Sequence, residues 1–293
     1  MPPENPPWSK AAWPWTELRG IRLEPMFMNH GKIEAPTNNL VSNHPFYTWW
    51  WLEKGSVTLT MKAGEQTMPA RHWVLIPVGT HRHHRFSADA VLSSISFAAR
   101  WPNGLPILQL PGLVIQKARP ADPLIQSALD AHSAAHTPFA SKFISLANRR
   151  LSLAESFRFS SALNLFFACL LGQPALHGIA RCAPATGDAR LDIVLDDLFR
   201  HLRAGPLPYA VWKKSTGLSR PHLDRLARAS LRLSLREHRD HLLLTEIHRR
   251  LSIDHSSIKF HALDLGFVDS AHFCRWVRHQ SGLTPKTLVS HRA

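Results

Sequence analysis

The sequence contains little cysteine, no long apolar run and few acidic side chains. Its three cysteines are Cys169, Cys182 and Cys274. An odd number without a pairing pattern excludes a disulfide scaffold and favours a reducing compartment. The longest apolar stretch, residues 163–171, is far shorter than the ~20 residues that span a bilayer. The N-terminus has no signal-peptide pattern. We therefore expect a cytoplasmic protein with no membrane partner.

The shortage of acidic residues makes the chain strongly basic. It has 35 lysines and arginines against 21 aspartates and glutamates, a formal net charge of +14 and a pI of about 10.5. After residue 211 the count is 15 basic against 7 acidic side chains, so the excess is densest at the C-terminal end. Such a charge favours a polyanionic partner such as nucleic acid or an anionic membrane surface.

Length and composition indicate a globular protein of more than one domain. A hydrophobic fraction of 44% with 19% charged residues excludes a disordered chain, and 293 residues suit two domains. We divide the chain into a Pro/Trp-rich arm (1–20), a strand-rich zone (21–120), a helical linker or dimerisation region (121–187) and an all-helical zone (188–293). The strand-rich zone has short alternating strands with turn signals about every ten residues, which predicts a sandwich or small barrel.

Residues 257–278 have the pattern of a helix-turn-helix unit. A short helix ends at Gly266, a residue suited to the left-handed turn that stops a helix. Asp269 then offers an N-cap carboxylate to a second helix with Phe273 and Trp276 facing inward. Two helices joined by a tight turn, with arginines outward, suit insertion into the major groove. The candidate DNA-contacting residues of this unit are Ser270, Ala271, His272, Cys274, Arg275 and Arg278.

An upstream segment repeats this plan. Its helices are predicted over residues 207–216 and 219–229, with Gly217 in the turn and Pro221 in the first turn of the second helix. A helix between the units would space them by about 25 Å at 1.5 Å per residue. Two recognition helices could then enter major-groove faces ~34 Å apart. The candidate residues of this unit are Arg220, His222, Asp224, Arg225 and Arg228.

At this point the chain resembles the AraC family of bacterial transcription regulators. The residues that carry the resemblance, in the family's order and spacing, are Ile258, Ala262, Gly266-Phe267, Asp269-Ser270, His272-Phe273-Cys274-Arg275 and Gly282-Leu283-Thr284-Pro285. The resemblance implies a DNA-binding domain with two helix-turn-helix units. It also implies an N-terminal domain that senses a ligand or dimerises, and a homodimer bound to double-stranded DNA.

The first unit departs from the family pattern. The family usually has glycine at Arg232, an aromatic residue at Ala227 and tyrosine at His238. Asp224 stands at a position that often contacts bases, where it could accept from a cytosine amino group or pair with Arg220 or Arg228 on the helix surface. Both readings of Asp224 stay open. We expect the first unit to read DNA more loosely than the second.

The strand-rich zone looks like the cupin-type sensor domains of this family. The similarity rests on a strand, the turns at Gly55 and Gly64, and the corner Pro77-Val78-Gly79-Thr80-His81. It implies a cupin-like β-barrel that binds a small molecule such as a sugar, because indoles beside polar groups suit that ligand class. The alternative, that the tryptophans only fill the core, stays open. The candidate ligand-binding residues are Tyr47, Trp49, Trp51, His81 and His83.

We therefore expect a ligand-responsive DNA-binding regulator without a cofactor or resident metal, and not an enzyme, since no catalytic constellation stands out. One alternative is a metal-dependent cupin enzyme with a vestigial helical domain, with His44, His81 and His83 as ligands. Arg82 and Arg85 among these histidines favour a basic loop instead. A second alternative is a module that binds polyanions or membrane surfaces through its charge alone.

Overall fold

The computed structural model describes residues 21–33, 40–42, 44–101, 103–135, 144–145, 150–176, 180–181, 185–253 and 256–290. The predicted N-terminal arm lies outside these ranges. A β-rich region is followed by a helical region, so the predicted order of fold classes is confirmed. The strands are β1 (Arg22–Lys32), β2 (Leu40–Ser42), β3 (Tyr47–Lys54), β4 (Ser56–Met61), β5 (Gly64–Pro69), β6 (His72–Ile76), β7 (Arg82–Phe86), β8 (Val91–Arg100), β9 (Leu108–Gln109), β10 (Val114–Lys117), β11 (Ile144–Ser145) and β12 (Ala180–Arg181).

The strands form two main sheets. The larger has the order β10-β6-β3-β8-β1-β11, the smaller has the order β2-β7-β4-β5, and β9 pairs separately with β12. Among the strands that the structure describes, no hydrogen-bonded pair joins the two main sheets. A closed cupin-like barrel therefore stays a prediction, whereas a β-rich N-terminal region is observed.

β3 lies near the middle of the larger sheet, and both of its faces are buried. Its alternating side chains point to two different layers. Trp49 and Trp51 belong to the core beneath the helices that follow the strands. Trp50 and Leu52 belong to the core shared with the smaller sheet, which also contains Val57. The larger sheet is thus sandwiched between the smaller sheet and a helical layer.

Nine α-helices lie within the described residues. They are α1 (Pro123–Ala134), α2 (Leu153–Leu171), α3 (Ala189–Arg200), α4 (Tyr209–Thr216), α5 (Arg220–Leu231), α6 (Leu235–Ile253), α7 (Ile258–Asp264), α8 (Ser270–Ser281) and α9 (Pro285–Ser290). α1 and α2 cover the larger sheet, with Phe166 and Leu170 of α2 fully buried. α2 begins with a capping box between Ser152 and Glu155, which satisfies two donors that a helix start leaves free.

The C-terminal helices are organised around α6. One core packs α3, α4 and α5 against the start of α6, and a second packs α7, α8 and α9 against its later part. Trp101 and Leu105, which follow β8, are buried in the first of these cores. The β-rich and helical regions therefore share apolar packing. The domain boundaries expected from the sequence stay a prediction.

Candidate nucleic-acid interface and ligand cavity

The second helix pair, α7 and α8, is joined by a tight glycine turn. Gly266 has a φ of 82°, and a Cβ there would lie 3.3 Å from the carbonyl oxygen of Ala204. Glycine is required on both grounds, since other residues are strained at positive φ. The Asp269 carboxylate accepts a hydrogen bond of 2.6 Å from the backbone N–H of His272. The predicted turn and N-cap are therefore both present.

Phe267 joins the two helices of this pair. Its ring is buried and packs edge-on against Phe273 at 5.1 Å and Trp276 at 5.4 Å between centroids. Aromatic contacts of this geometry stabilise a core beyond simple burial. The angle between α7 and α8 is therefore fixed by side chains from both helices and from the turn.

The outer face of α8 carries the basic side chains. Ala271, His272, Arg275 and Arg278 are exposed, whereas Ser270 and Cys274 are half-buried. Cys274 packs against the core of α7–α9, as expected of a small apolar residue. His279, one helical turn after Arg275, is also exposed and was not among the sequence candidates. Arg275 and Arg278 form no ion pair within the part of the chain that the structure describes.

The first helix pair, α4 and α5, has a similar turn at Gly217, whose φ is 72°. Arg220, His222, Arg225 and Arg228 are exposed along α5, as the helical spacing predicts. Trp212 of α4 is buried, and its indole N–H donates to the Asp197 carboxylate of α3 at 2.7 Å. This bond ties the first helix pair to the helix that precedes it.

Asp224 is held by its neighbours on α4 and α5. The Tyr209 hydroxyl donates to one carboxylate oxygen at 2.8 Å, and the Arg220 Nε lies 3.7 Å from the other. The Arg220 guanidinium also lies 4.9 Å from the centre of the Tyr209 ring. Burial raises the pKa of Tyr209 to about 12, and the bond to Asp224 adds to this shift. The pairing of Asp224 with Arg220 is thus present, which leaves its carboxylate oxygens directed at protein groups.

The three unusual residues of the first unit have structural consequences. Arg232 follows α5 with a φ of 60°, the left-handed conformation for which glycine is suited. Ala227 is fully buried, and His238 is buried at the start of α6. Burial, then the charge of Arg100, lowers the pKa of His238 to about 3. The tyrosine-to-histidine difference therefore places a neutral imidazole against the β-rich region.

A cavity of about 470 Å³ lies between the β-rich region and the first helix pair. We call it the apolar cavity. Tyr47 and Leu108 line it from the β-rich region, and Leu231 and His238 line it from the helices. Two arginines line it, the exposed Arg232 and the half-buried Arg100, and Arg100 donates to the Thr245 hydroxyl of α6 at 2.9 Å. Thr245 in turn donates to the carbonyl oxygen of Pro45 at 3.1 Å. These polar contacts connect β8, α6 and the segment that precedes β3.

The sequence-predicted ligand residues occupy several environments. Tyr47 lines the apolar cavity and donates to the Leu108 carbonyl. Trp49 packs against Phe166 of α2 with 5.2 Å between ring centroids, and Trp51 lies in the same core. His81 is exposed and His83 is half-buried on β7. The ligand-binding roles of these residues stay predictions, and Tyr47 is the one that borders a described cavity.

The histidines considered as metal ligands are not brought together. The His44 ring stacks on Phe46 at 4.8 Å and lies 6.3 Å from the His248 ring. Within the described ranges, no three His, Cys, Asp or Glu side chains lie close enough to hold one metal ion. The residue set His44, His81 and His83 therefore does not form a common site.

Known proteins resemble both the helical region and the chain as a whole. Residues 212–290 match a family model described as a helix-turn-helix domain. ToxT from Vibrio cholerae has a similar fold, with a TM-score of 0.56 at 13% identity, over 94% of this chain and 99% of that one. ToxT with a bound unsaturated fatty acid aligns with a TM-score of 0.52 at 14% identity, over 92% and 94% of the two chains. No curated protein matches the chain.

The C-terminal part of this chain is an AraC-type helix-turn-helix domain. The match runs from Trp212 within α4 to the end of α9, so the family assignment from residues 258–285 is confirmed. The AraC-type domain is a DNA-binding module, and it identifies a transcription regulator rather than an enzyme. Of the helices in the described part of the chain, none is long and apolar enough to cross a membrane.

Proposed function

We propose that this AraC-type regulator binds a specific DNA sequence by placing α5 and α8 in the major groove. The observation that carries the proposal is the outer face of α8, where Arg275 and Arg278 are exposed without an acidic partner in the described residues. Free guanidinium groups on a recognition helix suit guanine edges and backbone phosphates. α6 has 19 residues and is about 28 Å long, at 1.5 Å per residue. It suits two major-groove faces about one turn apart.

Replacing Arg275 by alanine tests this proposal. We expect a loss of about 1–3 kcal/mol in affinity for the selected site and a relaxed preference at one base position, if Arg275 reads a base. The operator is first obtained by selecting bound fragments from a random DNA pool. Arg85→Ala, which removes an exposed arginine from β7, is the matched control and should leave binding unchanged. Unaltered affinity of the Arg275 variant would remove this residue from the interface.

The same proposal gives the apolar cavity a role as the effector site. Its walls come from the β-rich region and from the end of α5, so a ligand would contact both regions. Apolar walls with the arginines Arg100 and Arg232 suit an amphipathic carboxylate, and a protein of similar fold has been solved with an unsaturated fatty acid bound. We propose this ligand class; the sugar expected from the sequence stays a prediction.

Thermal unfolding with oleate, and separately with a panel of monosaccharides, tests the effector. We expect oleate to raise the melting temperature of the wild-type protein. Leu108→Trp, which fills the cavity, should abolish that shift. Stabilisation by a sugar alone would replace the carboxylate with the sugar as ligand. No stabilisation by either would contradict the effector role of the cavity and leave the DNA-binding proposal standing.

A homodimer, also expected from the family resemblance, is proposed to form through α2. Leu153, Phe157 and Leu165 are exposed on this helix. The helix carries only two charged side chains, Glu155 and Arg158, so its outer face can meet a second copy without like-charge repulsion. Sedimentation of the wild-type chain should show a dimer, and Phe157→Glu should shift it to a monomer. A wild-type monomer at all concentrations would contradict this. The cytoplasmic location stays a prediction.

A further inference from the structure

A second cavity, of about 560 Å³, lies on another side of the contact between the β-rich and helical regions. We call it the arginine cavity. Its walls come from β1 and β8 of the larger sheet and from α3 and α6. The charged lining consists of Arg22, Glu24, Arg100, Arg200, Glu246, Arg249 and Arg250. Five arginines and two glutamates thus line one space.

Some of these arginines are already paired. Arg200 forms an ion pair with Asp196 at 2.9 Å. Arg249 and Arg250 share the Glu246 carboxylate at 2.7 and 2.6 Å, and Arg250 also pairs with Asp264. One carboxylate therefore serves two guanidinium groups, and the charge of Glu24 also acts on Arg249.

Arg22 and Arg100 have no carboxylate within ion-pair distance in the described part of the chain. Arg22 lies over the ring of Phe199 at 5.0 Å. Arg100 donates to neutral acceptors, the Gly104 carbonyl at 3.3 Å and the Thr245 hydroxyl at 2.9 Å. Glu24 is the remaining acidic group of the lining. The two arginines from the sheet and Arg249 from α6 thus leave an excess of positive charge in the cavity.

We propose that the arginine cavity binds a small phosphate monoester, whose dianionic head group is held by Arg22 and Arg249. The planar guanidinium fork matches phosphate oxygens, and hydrogen bonds between two charged groups are about twice as strong as neutral ones. The five arginines exceed Glu24, Glu246 and the paired Asp196 and Asp264 by one positive charge, so the cavity favours an anionic ligand. This site goes beyond the proposed function, because it takes a ligand class different from that of the apolar cavity.

Binding there would connect two regions that the proposed function must couple. Arg22 stands on a strand of the larger sheet, and Arg249 stands on α6, the helix that separates the two helix pairs. A phosphate bound between them would restrain α6 relative to the sheet. A phosphorylated metabolite would then change DNA affinity through the spacing of α5 and α8, because a ligand shifts the conformations that it binds unequally.

The test is calorimetric titration of the full chain with phenyl phosphate, with phenol and with potassium chloride at equal ionic strength. We expect saturable binding of phenyl phosphate alone. Arg22→Met and Arg249→Met should each weaken it by about tenfold or more, the effect of losing one charged hydrogen bond. Arg85→Met, on the outer face of β7, is the control for total charge and should bind as the wild type does. Leu108→Trp should also retain binding, which separates this site from the apolar cavity.

The competing explanation is that Arg22 and Arg249 contact the phosphates of DNA. In that case both variants would weaken DNA binding in the absence of phenyl phosphate, and each would reduce the salt dependence by about one phosphate contact. That outcome, or binding of phenyl phosphate that neither substitution weakens, would overturn the proposal. Melting temperatures of the variants show that they are folded.

Discussion

The first and second helix pairs differ in how their recognition helices begin and end. α8 is capped by Asp269 and ends at Gly282, whose φ of 76° suits glycine. α5 follows Ser219, which makes no side-chain cap bond, and ends at Arg232 with a φ of 60°. A side chain with a Cβ is disfavoured in this left-handed conformation. The second pair is therefore built from residues that fit their backbone, and the first pair carries strain.

The strained residue at the end of α5 lies beside the apolar cavity, which relates the difference between the helix pairs to ligand binding. Arg232 lines the apolar cavity, and so do Leu231 and Leu233 beside it. No residue of α7 or α8 lines either of the two cavities. Strain tends to persist where function requires a particular local geometry. We infer that the first helix pair is the one a ligand influences, and that the second pair is the more independent reader of DNA.

The two glycine turns provide the largest expected contrast. Gly266→Ala places a Cβ at positive φ and 3.3 Å from the Ala204 carbonyl, so we expect a loss of about 2 kcal/mol in the free energy of unfolding. Gly217→Ala has the same conformational strain with open space around the Cβ, and should lose about 1 kcal/mol. Urea unfolding of both variants measures the difference. Equal losses would mean that the contact with Ala204 adds nothing.

The buried histidine near the first pair predicts a dependence on pH. The folded pKa of His238 is about 3, against 6.5 for an unperturbed histidine. Below pH 6.5 this histidine therefore binds a proton in the unfolded chain but stays neutral in the folded chain. The contribution of His238 to the free energy of unfolding is complete above pH 6.5 and falls by about 1.4 kcal/mol per pH unit towards pH 3.

His238→Phe should make the loss with falling pH less steep by about 1.4 kcal/mol per pH unit, measured as the free energy of unfolding at pH 7, 6 and 5. The rest of the slope stays, because burial also lowers the pKa values of His84 and His132 to about 3. The control is His222→Phe, because His222 is exposed on α5 and should leave the slope as it is in the wild type. If the two variants show the same slope, His238 is not the titrating group.

Removing the backbone strain at Arg232, after α5, should stabilise the protein, by less than Gly266→Ala destabilises it. Arg232→Gly restores the family residue at a φ of 60° and is expected to raise the free energy of unfolding by about 1 kcal/mol. Gly282→Arg makes the reciprocal change in the second pair and should lower it by a similar amount. A destabilised Arg232→Gly protein would show that contacts of the arginine side chain outweigh the backbone strain.

The smallest expected effect concerns Tyr209. Tyr209→Phe removes the hydrogen bond to Asp224 and should cost about 0.5–1.5 kcal/mol of stability. If Asp224 orients Arg220 for DNA, the variant should also lose a small part of its operator affinity, which electrophoretic mobility shifts would reveal. Unchanged affinity would confine the Tyr209–Asp224–Arg220 contacts to a structural role.

Local signals explain which parts of the molecule could be predicted from the sequence. Gly266 and Asp269 act within one turn of the chain, so the α7–α8 turn was predictable from spacing alone. The separation of Trp49 and Trp51 from Trp50 in β3 follows from sequence position alone, because side chains alternate along any strand. It could not show which layer covers each face, since β3 is buried on both sides.

The cavities depend on long-range packing that spacing does not encode. Arg100 meets Thr245 across 145 positions of the chain, and Tyr209 reaches Asp224 from a neighbouring helix. Neither pairing follows a helical or strand period. Arg232, in contrast, could be recognised from the sequence as a departure from the family pattern. The structure shows why the difference matters, because Arg232 is a non-glycine residue at positive φ.

The most direct test of the division between the two helix pairs is the DNA sequence that the full chain selects from a random pool. We expect two half-sites about one helical turn apart, one strongly defined and the other degenerate. Arg275→Ala should relax the defined half-site, and Arg225→Ala should alter only the degenerate one. Two equally defined half-sites, or a defined half-site that responds to Arg225→Ala instead, would contradict that division.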